Sequence, residues 1–247
     1  VISNGNDPEP THFPPFAVLM MPVTDLSVSS LIDAVEQADS PERLIQAVQS
    51  LAAARSELGI PTLIRALGFN NPAAAAAAVQ GLIEMGSPAV RPLLDSLDDY
   101  NYGARAWSIR ALVTIADPEA LAVLQAAAAH DFAPSVRRAA TKGLGALRWS
   151  LLPLSQQVAA QRSAADILLT VTQDTDWSLR YAAVVGLQAL GLAAVQPTLR
   201  TQIVDALQQL AETESDLAVH ARVRRAMVQL ADLLSCDRDL DDLPLLP

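Results

Sequence analysis

One leucine position recurs six times along the chain, and this constrains the fold more than any other feature. The anchors are Leu51, Leu82, Leu112, Leu144, Leu187 and Leu230, at spacings of 31, 30, 32, 43 and 43 residues. The clearest copies are Ser135-Val-Arg-Arg-Ala-Ala-Thr-Lys-Gly-Leu144 and Ser178-Leu-Arg-Tyr-Ala-Ala-Val-Val-Gly-Leu187. A third is Gly103-Ala-Arg-Ala-Trp-Ser-Ile-Arg-Ala-Leu112, and residues 72–82 are a poorer copy without arginine. A small residue recurs ahead of the leucine (Ala47, Ala78, Ser108, Ala140, Ala183) and lets packed helices approach closely. Each copy follows a second apolar-periodic stretch, as at Ile60–Leu67, Ala89–Leu97, Ala120–Ala127 and Ala164–Val171. The joints Gly86-Ser-Pro88, Asp117-Pro118 and Asp174-Thr-Asp176 are helix-start punctuation. Asp and Ser accept from free first-turn amides, and Pro fits where no amide is needed.

Two short helices per repeat cannot bury their apolar stripes alone, so neighbours stack into one elongated core. The chain is therefore predicted to be all-α, a right-handed α-solenoid of about six helix pairs over residues 25–235, with second helices on the concave face. The two 43-residue spacings call for longer first helices or an inserted loop. Residues 148–162, with Pro153 and three Gln, are the expected insertion. Composition agrees: 44 Ala and 37 Leu accompany only 10 Gly, and Ala and Leu lose little entropy in a helix. Residues 1–24 show no helical period and are expected to be a disordered or non-native extension, with Met20 or Met21 as natural starts. The apolar run at residues 16–23 is too short to span a bilayer and lacks a basic flank, so no signal peptide is expected. Residues 236–247 are expected to be an acidic tail.

The formal net charge of −10 argues against a nucleic-acid binder, which needs clustered Lys and Arg. A single cysteine, Cys236, rules out an intrachain disulfide and any multi-cysteine zinc site. Three scattered histidines argue against a metal centre. The sequence carries no phosphate loop, no Gly-x-Ser-x-Gly, no His-Glu-x-x-His and no Cys-x-x-Cys.

The repeat unit resembles the short HEAT-like repeat of phycobilisome lyases. The match sharpens at Tyr100-Asn-Tyr-Gly-Ala-Arg-Ala-Trp-Ser-Ile-Arg-Ala-Leu112, at Asp131-Phe-Ala-Pro-Ser-Val-Arg-Arg-Ala-Ala140 and at Trp177-Ser-Leu-Arg-Tyr-Ala-Ala-Val-Val-Gly186. These stretches are similar to the heterodimeric phycocyanobilin lyases, most of all to the smaller beta (F-type) subunit. The resemblance covers roughly residues 26–235. It implies a cytoplasmic protein of phycobilisome assembly, an E-type alpha-subunit partner, and phycocyanobilin as substrate rather than cofactor. It further implies attachment of that pigment, through a thioether, to a cysteine of the phycocyanin alpha chain. Relatives that also isomerise the pigment carry an adjacent His-Cys pair. None occurs here, so simple attachment is expected. Two alternatives stay open: a HEAT-like protein of phycobilisome breakdown or bilin detachment, and a non-catalytic protein-binding scaffold.

Aromatics and charge support a pigment site independently. After residue 16 there are eight aromatic residues, seven of them between Tyr100 and Tyr181. Residues 100–200 carry nine basic and six acidic side chains, whereas residues 1–99 carry four and twelve. An open-chain tetrapyrrole offers flat rings, which suit aromatic faces, and two propionates, which suit the planar arginine fork. Tyr100, Asn101, Tyr102, Arg105, Trp107, Arg137, Trp177, Arg180 and Tyr181 are the candidate pigment-binding residues. Arg105, Arg137 and Arg180 recur once per repeat and would form a ladder for the propionates. Asp131 and Asp176 are the candidate catalytic residues, as carboxyls of raised pKa that face the pyrrole nitrogens or donate a proton. Each has a plainer reading. Arginines at one repeat position pair with the acid of a neighbouring unit, Asp131 and Asp176 cap helices, and Trp107 packs in the core.

Overall fold

The computed structural model describes residues 25–97 and 101–241. The expected extension over 1–24, the candidate Tyr100, and residues 242–247 of the expected tail lie outside the described residues. Among the described residues twelve α-helices follow one another in six pairs: α1 (Asp25–Glu36) with α2 (Pro41–Ala53), α3 (Ile60–Ala66) with α4 (Pro72–Met85), and α5 (Ser87–Asp95) with α6 (Tyr102–Ile115). Then come α7 (Leu121–His130) with α8 (Pro134–Gly145), α9 (Leu154–Val171) with α10 (Trp177–Ala193), and α11 (Pro197–Thr213) with α12 (Leu217–Asp241). Among the described residues there is no strand, and no helix is long and apolar enough to cross a membrane.

Local chemistry sets the helix starts. Ser40, Asn71, Asn101 and Asp176 each accept a first-turn amide, opening α2, α4, α6 and α10. Proline occupies the first turn of α2, α4, α5, α8 and α11. Asp117-Pro118 opens a 3-10 turn, Pro118–Ala120, that runs on into α7.

The second helices pack in one row, α2 on α4 on α6 on α8 on α10 on α12. All six anchor leucines sit in that row, each at most 1% exposed. A fully buried leucine contributes about 1.5–3 kcal/mol, so the row is the spine of the molecule. Ala78, Ser108, Ala140 and Ala183 are buried in it as expected. Ala47, on α2 of the first pair, is only half-buried. α8 and α10 approach closely: a Cβ built on Gly145 would fall 1.9 Å from the Gly186 carbonyl oxygen.

The longer spacings come from longer helices. The stretch 148–162 forms a 3-10 turn, Trp149–Leu151, and the start of α9, which has 18 residues against 10 in α7. The insertion expected there is thus mostly helix, and Trp149 is buried in the core. At the other end α12 continues through residues 236–241, so part of the expected tail belongs to the last helix.

Candidate functional site

Arg105, Arg137 and Arg180 stand seven residues before their anchor leucines, near the starts of α6, α8 and α10. Each crosses a repeat boundary to an acid in the loop before the next second helix. Arg105 Nε lies 3.1 Å from Asp131 Oδ2, and Arg137 Nη2 lies 2.7 Å from Asp174 Oδ2. Arg180 holds Glu214 with two parallel bonds, from Nε at 2.7 Å and Nη2 at 2.8 Å. Each acid also accepts the backbone N–H two residues on: Ala133 at 2.8 Å, Asp176 at 2.9 Å and Asp216 at 2.8 Å. Arg137 and Arg180 donate further to the carbonyls of Ala128 and Asp174. The three arginines do form a ladder, in the plainer of the two readings, with inter-repeat ion pairs as its rungs. The Arg180 hydrogen bonds hold the Glu214 carboxyl below the usual carboxylate range and raise Arg180 in turn.

These rungs support an edge of exposed aromatic surface. Tyr102 is 41% exposed, Phe132 72% and Trp177 50%, all at or just before the start of a second helix. The Tyr102 and Phe132 rings lie 5.4 Å apart and tilted by 46°. The Arg105 guanidinium sits 4.9 Å from the Phe132 centroid and 6.0 Å from that of Tyr102, within cation–π range. A hydrogen bond of 3.1 Å joins the Tyr102 hydroxyl to Ser135. A cleft of about 410 Å³ opens beside this cluster, lined chiefly by Arg105, Ile109, Val123, His130, Asp131 and Phe132.

Trp177 and Tyr181 belong to a second concavity. A groove of about 320 Å³ is lined by Arg138 and Lys142 of α8, Trp177, Ser178 and Tyr181 of α10, and Ala218 of α12. Arg138 donates to Ser178 Oγ at 3.2 Å and remains 4.0 Å from Asp176. Lys142, the single lysine of the chain, is exposed.

The remaining candidates have local roles. Asn101 caps α6 by accepting from the Ala104 amide at 3.1 Å. Trp107 packs partly buried on the core, with the Arg110 guanidinium 5.5 Å above its ring. Asp131 is committed to Arg105 and the Ala133 amide. Asp176 caps α10, and its hydrogen bonds from the Ser178 hydroxyl and amide pull its pKa down. The raised pKa expected of Asp176 is corrected by that geometry, because hydrogen bonds to a carboxylate favour its charged form. Phe132, Arg138 and Lys142 were not among the candidates. The signal was in the sequence: Arg138 and Lys142 are four apart on one helix face, and Tyr181 stands at the repeat position of Arg138. Among the described residues no group of His, Cys, Asp or Glu could hold a metal ion.

Known proteins place these features in a family. The HEAT-repeat pattern matches residues 28–99, 70–145 and 90–161. A phycocyanobilin lyase subunit beta from Nostoc sp. (strain PCC 7120) is 51% identical over 201 residues, covering 81% of this chain and 99% of that protein. The phycocyanin alpha phycocyanobilin lyase CpcF of Synechocystis sp. is 49% identical over 196 residues, covering 79% of this chain and 91% of that protein. In the solved complex of CpcE and CpcF of phycocyanin lyase from Nostoc sp., one chain matches with a TM-score of 0.65 and 50% identity. That match covers 69% of this chain and 99% of the Nostoc one. With half of the aligned residues shared over nearly the whole length of such relatives, the chain belongs to the phycocyanobilin lyase beta-subunit family, built on HEAT repeats.

Proposed function

We propose that this chain is the beta subunit of a bilin lyase that pairs with an E-type alpha subunit. Together they bind phycocyanobilin and catalyse its attachment to a cysteine of the phycocyanin alpha chain. The observation that carries this reading is the strip of exposed π-surface and cations on α6, α8 and α10. It includes Tyr102 and Phe132 at one end and Arg138, Lys142, Trp177 and Tyr181 at the other. The two concavities, about 410 and 320 Å³, sit at the low end of ligand pockets, which run from about 300 to 1,000 Å³. A partner surface laid over them would complete a site for a four-ring pigment.

The chemistry asks little beyond geometry. The acceptor's thiol adds across the ethylidene double bond: a carbon–sulfur bond forms, the S–H bond breaks, and its proton balances the neighbouring carbon. Holding pigment and thiol in line contributes effective concentration to that addition. Tyr102, Trp177 and Tyr181 are assigned to the rings. Asp131 and Asp176 are assigned to fixing the loops that present them.

The test is co-expression of the chain with the E-type subunit, the acceptor alpha chain and phycocyanobilin. A coloured adduct that survives denaturation should form only when both subunits are present. Equal adduct without this chain, or pigment release from preloaded acceptor in its place, would overturn the proposal.

A further inference from the structure

The rungs use up Arg105, Arg137 and Arg180, so the carboxylates of a pigment need other cations. Around the 320 Å³ groove stand Lys142, which holds no acid among the described residues, and Arg138, whose one acidic neighbour, Asp176, lies 4.0 Å away. Arg222 lies on α12, one turn beyond Ala218, which lines that groove. Residues four apart share a helix face. Its Nη2 donates to Gln188, whose own amide donates to Gln229. Its Nη1 is buried with no hydrogen-bond partner among the described residues. Burial pushes its pKa down, and Arg225 adds like charge nearby. Tyr181, which lines the groove, stands on α10 with Gln188, the residue that Arg222 holds. Across the groove stand Arg138 and Lys142. Each rung guanidinium described above is neutralised by a carboxylate. A half-buried cation left without one is costly, and an anion arriving from outside the chain relieves that cost.

We propose that Arg222, with Lys142 and Arg138 opposite, is a carboxylate-binding site that takes the propionates of the bilin, with Trp177 and Tyr181 against the rings between them. The inference rests on the pigment-binding reading above. It deepens that reading by moving the anionic anchor off the ladder and onto α8 and α12. A linear tetrapyrrole with two propionates spans two cationic walls, which one acidic side chain does not.

The experiment compares phycocyanobilin with its dimethyl ester, titrated into the purified heterodimer and followed by the pigment's absorbance. The native protein should prefer the free acid by about tenfold or more, the worth of one charged hydrogen bond. Arg222→Met should abolish most of that preference, and the exposed Lys142→Met should reduce it. Ligand-free, Arg222→Met should melt no lower than the native protein, since it removes a charge that the fold leaves unmatched. A preference retained in both variants overturns the proposal. So does an Arg222→Met variant that binds both pigments normally but no longer holds the E-type subunit, because the cations then serve a partner's acidic side chain. Failure of the native heterodimer to bind either pigment form sinks the functional reading instead.

Discussion

Arg180 and Glu214 define what a rung contributes. Glu214 is 2% exposed and Arg180 17%, and each is satisfied by the other and by backbone groups. Breaking such a pair strands a buried charge, at about 3–5 kcal/mol. Arg180→Met should therefore lower the melting temperature by roughly 10 °C, given about 2–4 °C per kcal/mol at this size. Arg137→Met, whose pair is 22% and 17% exposed, should destabilise less, by about 1–3 kcal/mol. The pH dependence has a definite sign. Glu214 has its folded pKa depressed below 4.5, so its stabilisation is fully present above that value. It is lost as pH falls through the depressed folded value. Acid melts of native protein and Arg180→Met should converge in that range, and parallel acid curves would contradict it. The sequence made the three arginines visible because they recur, but not their partners. Each partner lies 26 to 37 residues on, in a loop, and the third is Glu where the first two are Asp. Arg222 was illegible for a related reason: its distinction is a missing neighbour, which only packing reveals.

At the scale of the helices, the contact of α8 with α10 is made through backbone. Gly145 faces the Gly186 carbonyl, and Gly186 in turn faces Leu168 and the Thr141 carbonyl. A methyl at Gly145 has nowhere to go, so the helices must separate. Gly145→Ala should destabilise by about 1–3 kcal/mol, as overpacking does, and should widen the groove that α8 and α10 share. Gly103→Ala is the control, since its nearest neighbour stands at 3.7 Å. Equal melting temperatures for the two variants would show that the contact is not limiting. The helix pairs were largely legible, because leucine spacing and caps such as Asp117 and Asp176 are local signals. The 148–162 stretch was misread because Pro153 and the glutamines look like loop. Pro153 instead precedes the first turn of α9, and buried Gln161 bonds to the Ala193 carbonyl and Val195 amide of the next turn.

For the whole molecule, stability is a sum of neighbouring repeats. The middle row, α6 to α10, has a packed second helix on both sides and a rung at each boundary. Hydrogen exchange should therefore be slowest at the anchor leucines 112, 144 and 187, with earlier opening at α1. Uniform protection along the row would indicate one all-or-none unit.

In a solenoid, order along the chain is order in space, so segregated charge becomes zones along the axis. Between Asp25 and Leu97 eight acidic side chains face four basic ones, residues 101–200 carry nine basic against six acidic, and residues 201–241 carry four basic against eight acidic. The molecule has a positive middle between two negative ends. An anionic ligand approaching it is steered to the middle before it makes a contact. Capture should be fast and oriented in dilute buffer, and should slow as added salt shortens the reach of the field to about 10 Å and below.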